Sequence, residues 1–244
     1  MKRSASYCIH VFGFICGTLT YAQVPVSKDL CGQSPIDLDL ARNSGLPSDV
    51  KIAYSKSVVF ADDQADEVVF AVRPKDNDDN NELVLKNDPV EYELTQFHLH
   101  NPNEHDLKGV NGAELHLVNV GYNQKDEKKI SVVGVFVVEG APNPVIESLA
   151  RLISDNENSG TELEAETILD LRYLLPENSP VYRYTGSLTA GKNEPFINPV
   201  EWRVFSKPIE ASKEQLSRLR ARNGFHSARI NQPICGRSVR LDAS

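Results

Sequence analysis

Apolar and polar residues alternate along several short stretches of this chain, with the period of two that sends successive side chains to opposite faces of a strand. Val68-Val69-Phe70-Ala71-Val72, Val90 to His100, Ala113 to Val120, Ile130 to Val138 and Trp202 to Phe205 are β-branched or alternating and are bounded by Gly, Pro, Asn or Asp, which predicts strands. Ile130 to Val138 is apolar on both parities, the pattern of a central strand covered on both sides. Two stretches carry a helical period instead. Pro144 suits a first helical turn and is followed by a stripe of Val145, Leu149, Leu152 and Ile153. Ser212-Lys213-Glu214-Gln215 resembles a capping box opening a second helix, with Leu216 and Leu219 inward. The acidic, Asn-rich stretches Asp62 to Glu67 and Asp76 to Glu82 read as solvated turns or loop tips. With no internal repeat, Pro- or Gly-rich linker or shift in composition, the pattern predicts one β-dominated domain with short peripheral helices.

Composition narrows the class without choosing a substrate. The chain has 244 residues, 40% hydrophobic and 25% charged, with a formal net charge of -8, which excludes a coiled coil, a collagen-like repeat, a disulfide-dense miniprotein and a largely disordered polymer. An acidic balance argues against nucleic acid as a partner, since phosphate binding needs a basic footprint. Met1 to Ala22 reads as a secretory signal: Lys2 and Arg3 begin it, Tyr7 to Tyr21 is apolar and uncharged, and Thr20-Tyr21-Ala22 offers a small-x-small cleavage site. The run is shorter than the roughly 20 residues of a membrane span. The expectation is therefore a secreted or periplasmic domain of residues 23–244, without a membrane anchor. Losing Lys2 and Arg3 takes its net charge from -8 to -10. Cys8 and Cys16 leave with the signal. Cys31 and Cys235, near the two ends of an exported chain, are read most simply as a disulfide closing the domain, with two separate thiols as the alternative.

The candidate chemistry lies mid-sheet. In Gln96-Phe97-His98-Leu99-His100 the polar residues share one face, and in Glu114-Leu115-His116 so do Glu114 and His116. If these strands pair antiparallel, three imidazoles converge. Three neutral nitrogen ligands with one open position describe a catalytic zinc site. Gln96 and Glu114, each two residues from a ligand, are placed to accept the second ring N–H of a histidine and so fix its orientation. The same letters fit a second metalloprotein: His98-x-His100, Glu104 and a later histidine match the metal motif of cupins, with Glu104 as a ligand. The Gly and Pro pattern wanted before the last histidine is not supplied by Val110-Asn111-Gly112-Ala113-Glu114.

The flanks separate the two. Gln33-Ser34-Pro35-Ile36-Asp37-Leu38, Gln96 to His100, Asn103-Glu104-His105, Ala113 to Val118, Val132-Val133-Gly134-Val135-Phe136, Tyr182-Arg183-Tyr184-Thr185-Gly186-Ser187-Leu188-Thr189, Trp202, Pro208-Ile209 and Ser212 to Leu216 occur in this order. Over residues 31 to 240 the chain resembles the α-class carbonic anhydrases. The resemblance implies a mainly β (α+β) domain around a large central, mostly antiparallel twisted sheet, as a monomer or homodimer. It implies reversible hydration of carbon dioxide to bicarbonate by zinc-bound hydroxide, with His98, His100 and His116 as ligands. Thr189 resembles the threonine that accepts a hydrogen bond from that hydroxide and donates to a glutamate, here Glu104. Val118, Val132, Leu188 and Trp202 resemble the apolar wall beside the metal, although the two valines serve equally as core. His105 resembles a buried supporting histidine. A catalytically weakened binding module of the same family is the alternative function.

The departures from the family pattern are also legible. No histidine occupies Ala61 to Val68, where the fastest members keep one for proton transfer. The turn after Thr189 reads Ala190-Gly191-Lys192-Asn193-Glu194-Pro195 and is about three residues longer than the family spacing, and Cys235 offers a bridge different from the usual one. Only Gln23 to Gly32 stands where the family has an aromatic N-terminal stretch. His226, after the second helix, reads as an ordinary surface histidine.

Overall fold

In the computed structural model, which describes residues 31–64, 67–74, 81–159, 166–189, 199–221 and 224–244, twelve strands join in one sheet. They are β1 (Arg42–Pro47), β2 (Val50–Ala53), β3 (Lys56–Gln64), β4 (Glu67–Pro74), β5 (Glu82–Leu85), β6 (Glu91–His100), β7 (Ala113–Tyr122), β8 (Lys128–Glu139), β9 (Glu166–Asp170), β10 (Val181–Gly186), β11 (Val200–Ala211) and β12 (Arg240–Ala243). The helices are α1 (Pro144–Ser159) and α2 (Lys213–Ala221). Strand order is β1-β12-β10-β11-β8-β7-β6-β4-β3-β9, with the β2–β5 pair attached to β6. Among the described strands, only the β1–β12 and β8–β11 pairings are parallel. Among the described residues the sheet stays open, with β1 and β9 at its two ends, and does not close into the barrel that a cupin requires. The expected signal segment lies outside the described residues.

Alternation explains why β8 is apolar throughout. Val133, Val135 and Val137 enter the larger core, which α1 covers, whereas Val132 and Phe136 enter a second core with Ile36, Val118, Tyr184, Trp202 and Val204. Each parity has its own layer. The predicted strands are present but generally longer than their apolar stretches, because ladder hydrogen bonds continue past the buried residues. Thus Trp202 to Phe205 is the buried centre of β11, and Asp62 to Gln64 is not a loop tip but the end of β3, paired with Glu67 to Val69. Of the stretch Asp76 to Glu82, residues 76–80 lie outside the described residues. Asn81 is buried, with its side chain accepting from Ser55 N–H at 2.9 Å and donating to Ser57 Oγ at 2.7 Å.

Both helices start as their sequences require. Asn143 Oδ1 accepts from the N–H groups of Val145 and Ile146, capping α1, and Ser212 and Gln215 bond reciprocally to open α2. The Gln215 amide also holds both main-chain groups of Asn143, which fastens the two helix starts together. Cys31 and Cys235 form a disulfide that ties the start of the described chain to the segment before β12.

Glu147 links the helices through hydrogen bonds from Arg218 of α2, and within α1 it accepts from Arg151 at 3.1 Å. Arg218 chiefly holds its carboxyl down to about 2. A depressed carboxyl stabilises the fold above its unfolded value, near 4.5, and that contribution is lost as pH falls through about 2. The partners are partly solvated, so Glu147→Gln is expected to cost at most about 1 kcal/mol at pH 7. Urea unfolding of both proteins at pH 7 and at pH 2 checks this, with the gap closing in acid.

Candidate metal centre

The pairing of β6 with β7 builds the site. His98 stands directly opposite His116, and His100 opposite Glu114. The ring centroids of His98, His100 and His116 lie 5.0, 5.4 and 4.6 Å apart in pairs. His98 Nδ1 is 3.0 Å from Gln96 Oε1 and His100 Nδ1 is 3.2 Å from the Ser227 carbonyl oxygen. Both oxygens are acceptors, so each Nδ1 carries the proton and each Nε2 keeps its lone pair. Burial, reinforced by the neighbouring imidazoles, lowers the pKa of both rings, to about 3 for His100. Neutral rings are what metal ligation needs.

Behind His116 lies a buried polar chain. Glu114 accepts from the backbone N–H groups of Glu104 at 2.9 Å and His105 at 2.8 Å, and from His105 Nδ1 at 2.7 Å. Its Oε1 is also 3.2 Å from His116 Nε2, an approach that does not reach hydrogen-bond geometry. Burial alone raises the Glu114 pKa, but His105 and His116 together hold it well below the ordinary carboxylate value. His116 is drawn upward by Glu114 and Glu104 despite its burial. His105 Nε2 meets the Tyr184 hydroxyl at 2.7 Å, and that hydroxyl donates to Ser34 Oγ at 2.9 Å. The Gln33-Ser34 motif thereby reaches the site through His105. Glycine at 134 leaves room for this chain, since a Cβ there would stand 3.0 Å from Glu114 Oε1 and 3.1 Å from Val204.

Glu104 sits between the chain and the histidines. Its Oε1 accepts from Arg229 N–H at 2.7 Å, and its buried Oε2 has no hydrogen-bond partner, lying 3.5 Å from His100 Nε2 and 3.8 Å from His116 Nδ1. The pairing of Glu104 with Thr189 is therefore not closed in this structure. Thr189 instead joins Gln96, His98, His116, Val118, Val132, Leu188 and Trp202 around a cavity of about 280 Å³. Trp202 is fixed there by its indole N–H on the Ser187 carbonyl at 2.9 Å. The segment 190–198, which contains the altered turn, lies outside the described residues.

The segment after α2 contributes three contacts that alternation did not reveal. The Ser227 carbonyl orients His100, the Arg229 N–H orients Glu104, and His226 stacks on His98 with centroids 4.7 Å apart and planes 24° apart. His226 is thus not an ordinary surface histidine. Its main chain bonds to both neighbours of His100, through N–H to the Leu99 carbonyl at 2.7 Å and carbonyl to the Asn101 N–H at 3.1 Å. The available signal was scarcity: it is one of five histidines after Ala22.

The donor set fits a zinc ion. Buried His100 Nε2 has no hydrogen-bond partner, a costly arrangement of about 1–3 kcal/mol unless something coordinates it. The nitrogens gathered here are of the borderline class that zinc takes.

Residues 25–241 match the sequence profile of the eukaryotic-type carbonic anhydrases. A carbonic anhydrase of Pectobacterium carotovorum is 27% identical over 208 residues, which span 85% of this chain and 78% of that one. Among solved structures, the α-carbonic anhydrase from Thermovibrio ammonificans, in complex with the inhibitor sulfanilamide, superposes with a TM-score of 0.68 at 30% identity, over 86% of each chain. Dioscorin complexed with ascorbate superposes with a TM-score of 0.71 at 26% identity, over 87% of this chain and 86% of that one.

Proposed function

Because this chain belongs to the eukaryotic-type carbonic anhydrase family, we propose that it is an exported, zinc-dependent enzyme for the reversible hydration of carbon dioxide to bicarbonate and a proton. The reading is carried by the convergence of His98, His100 and His116 beside an apolar cavity walled by Val118, Val132, Leu188 and Trp202. The Cys31–Cys235 disulfide supports an oxidising compartment. His98, His100 and His116 would hold the zinc, which when bound would supply a Lewis acid and lower the pKa of a water to about 7.

The chain's own residues do the rest. Gln96 and the Ser227 carbonyl hold the ring protons of His98 and His100 away from the centre. The apolar wall excludes bulk water and holds a substrate that has no charge and weak hydrogen-bonding power. Glu104, with Oε1 fixed by Arg229, keeps Oε2 as the acceptor for the Thr189 hydroxyl proton. Thr189 then has only lone pairs to offer, so its oxygen orients an attacking water oxygen toward the substrate carbon.

Proton exit is the weak step, since Ala61 to Val68 holds no histidine. The expected result is carbon dioxide hydration whose rate rises with buffer concentration, in a protein that binds about one zinc per chain and is inhibited by an aromatic sulfonamide. Stopped-flow hydration over a buffer series, with zinc quantification, tests it, and fast rates insensitive to buffer would contradict the proton-exit argument. Stoichiometric zinc without hydration would favour the second reading, a small-ligand binding module, which the likeness to ascorbate-bound dioscorin supports.

A further inference from the structure

We propose that His226 is a fourth imidazole of the metal centre: with His98 and His100 it forms a second three-nitrogen set able to hold a borderline divalent ion such as Zn2+ or Co2+. This rests on the reading of His98, His100 and His116 as a zinc site, with which it shares two ligands. One ring nitrogen from each of His98, His100 and His226 lies within 4.8 Å of the other two. His116 gathers instead with carboxylates, in a set with His100 and Glu104 and another with His105 and Glu114. The ring of His226 is 4.7 Å from that of His98 and 5.4 Å from that of His100, centroid to centroid.

The position of His226 is determined by several bonds. Residue 226 forms a bridge beside His100, closed by its two main-chain bonds to Leu99 and Asn101. Its Nε2 meets the Val68 carbonyl oxygen of β4 at 3.0 Å. Each member of the set therefore has one ring nitrogen against an oxygen acceptor: Gln96 for His98, Ser227 for His100 and Val68 for His226. That is the arrangement which fixes the tautomer and direction of a ligand imidazole. Because Val68 and Leu99 belong to adjoining strands of the sheet, the third imidazole is held by the scaffold rather than by a free loop.

The test uses the disulfide-bonded chain as wild type, H226Q, H116Q, H116Q/H226Q and H98Q. Zn2+ affinity is read by chelator competition, and Co2+ coordination by visible absorption. The proposal expects H116Q to retain about one ion per chain and the further change H226Q to weaken that binding by about 10-fold or more. H98Q, which breaks both sets, is expected to bind less tightly than H116Q. Equal affinities for H116Q and H116Q/H226Q, or no ion on H116Q, would overturn it. Circular dichroism checks each fold, and H116N replaces H116Q in the same comparison if H116Q does not fold. Failure of wild type itself to bind an ion would sink the zinc-site reading, a different outcome from failure of the His226 set alone.

Discussion

Replacing His98 by glutamine is expected to lower kcat/KM for carbon dioxide hydration on the order of 10³-fold or more, because the ion that takes water from a pKa of about 15.7 to about 7 is no longer held. His98 is the informative ligand. It stands opposite His116 across the β6–β7 ladder, is fixed by Gln96, and reaches the wall of the cavity. Burial and the surrounding imidazoles keep the ring neutral, so its removal leaves no buried countercharge without a partner. Stability of the ion-free protein should accordingly change by about 1 kcal/mol or less, the range of a substitution that creates neither a cavity nor an unpaired charge. Activity and zinc content should fall together while the urea midpoint of the ion-free protein stays near wild type. A variant that loses zinc yet retains hydration would show that the three-histidine centre is not where the reaction occurs.

The features legible in the sequence are those with a local period. Alternation placed Gln96, His98 and His100 on one face, and the both-parity run of β8 announced a strand between two cores, as Val133 and Phe136 now show from opposite sides. Ser212 and Gln215 announced a helix start and form it. Features that depend on chain segments distant in sequence left no such trace. His226 lies 126 positions beyond His100, in a stretch without alternation, and long-range contacts, among them the bridge between their backbones, bring it to the site. The orienting groups of Ser227 and Arg229 are main-chain atoms, which no residue type encodes. Asp62 and Asp63 misled for a related reason: their charge suits solvent, but the ladder with β4 extends the strand through them. The proposed Thr189–Glu104 contact is a pairing of two side chains 85 positions apart, and spacing carries no information about that.

Glu114→Ala is expected to destabilise the fold by about 3–5 kcal/mol, as when one partner of a buried ion pair is removed. Glu114 has no exposure and receives three donors, two from the backbone at Glu104 and His105 and one from His105 Nδ1. Alanine would leave all three without their acceptor. A loss of that size is a large share of the roughly 5–15 kcal/mol of a typical domain, so thermal and urea midpoints should both fall clearly. Glu114→Gln separates charge from shape. Its amide keeps one oxygen acceptor but turns an NH2 toward groups that are themselves donors, so it should be destabilising, though less so than alanine. The pH dependence has a definite sign. The Glu114 carboxyl is held well below its ordinary value near 4.5, so its contribution is complete above that value and is lost as pH falls through the depressed one. The part of the gap between wild type and Glu114→Gln that comes from the carboxyl should narrow only in acid below that ordinary value, whereas the raised His116 makes the gap grow as pH falls through the raised histidine value to the ordinary 6.5. Since Glu114 also approaches His116 Nε2, the glutamine variant should bind zinc about 10–100-fold more weakly where it remains folded. Unchanged zinc affinity alongside lost stability would confine Glu114 to holding His105 and the Glu104 backbone, and would leave the orientation of His116 to its strand alone.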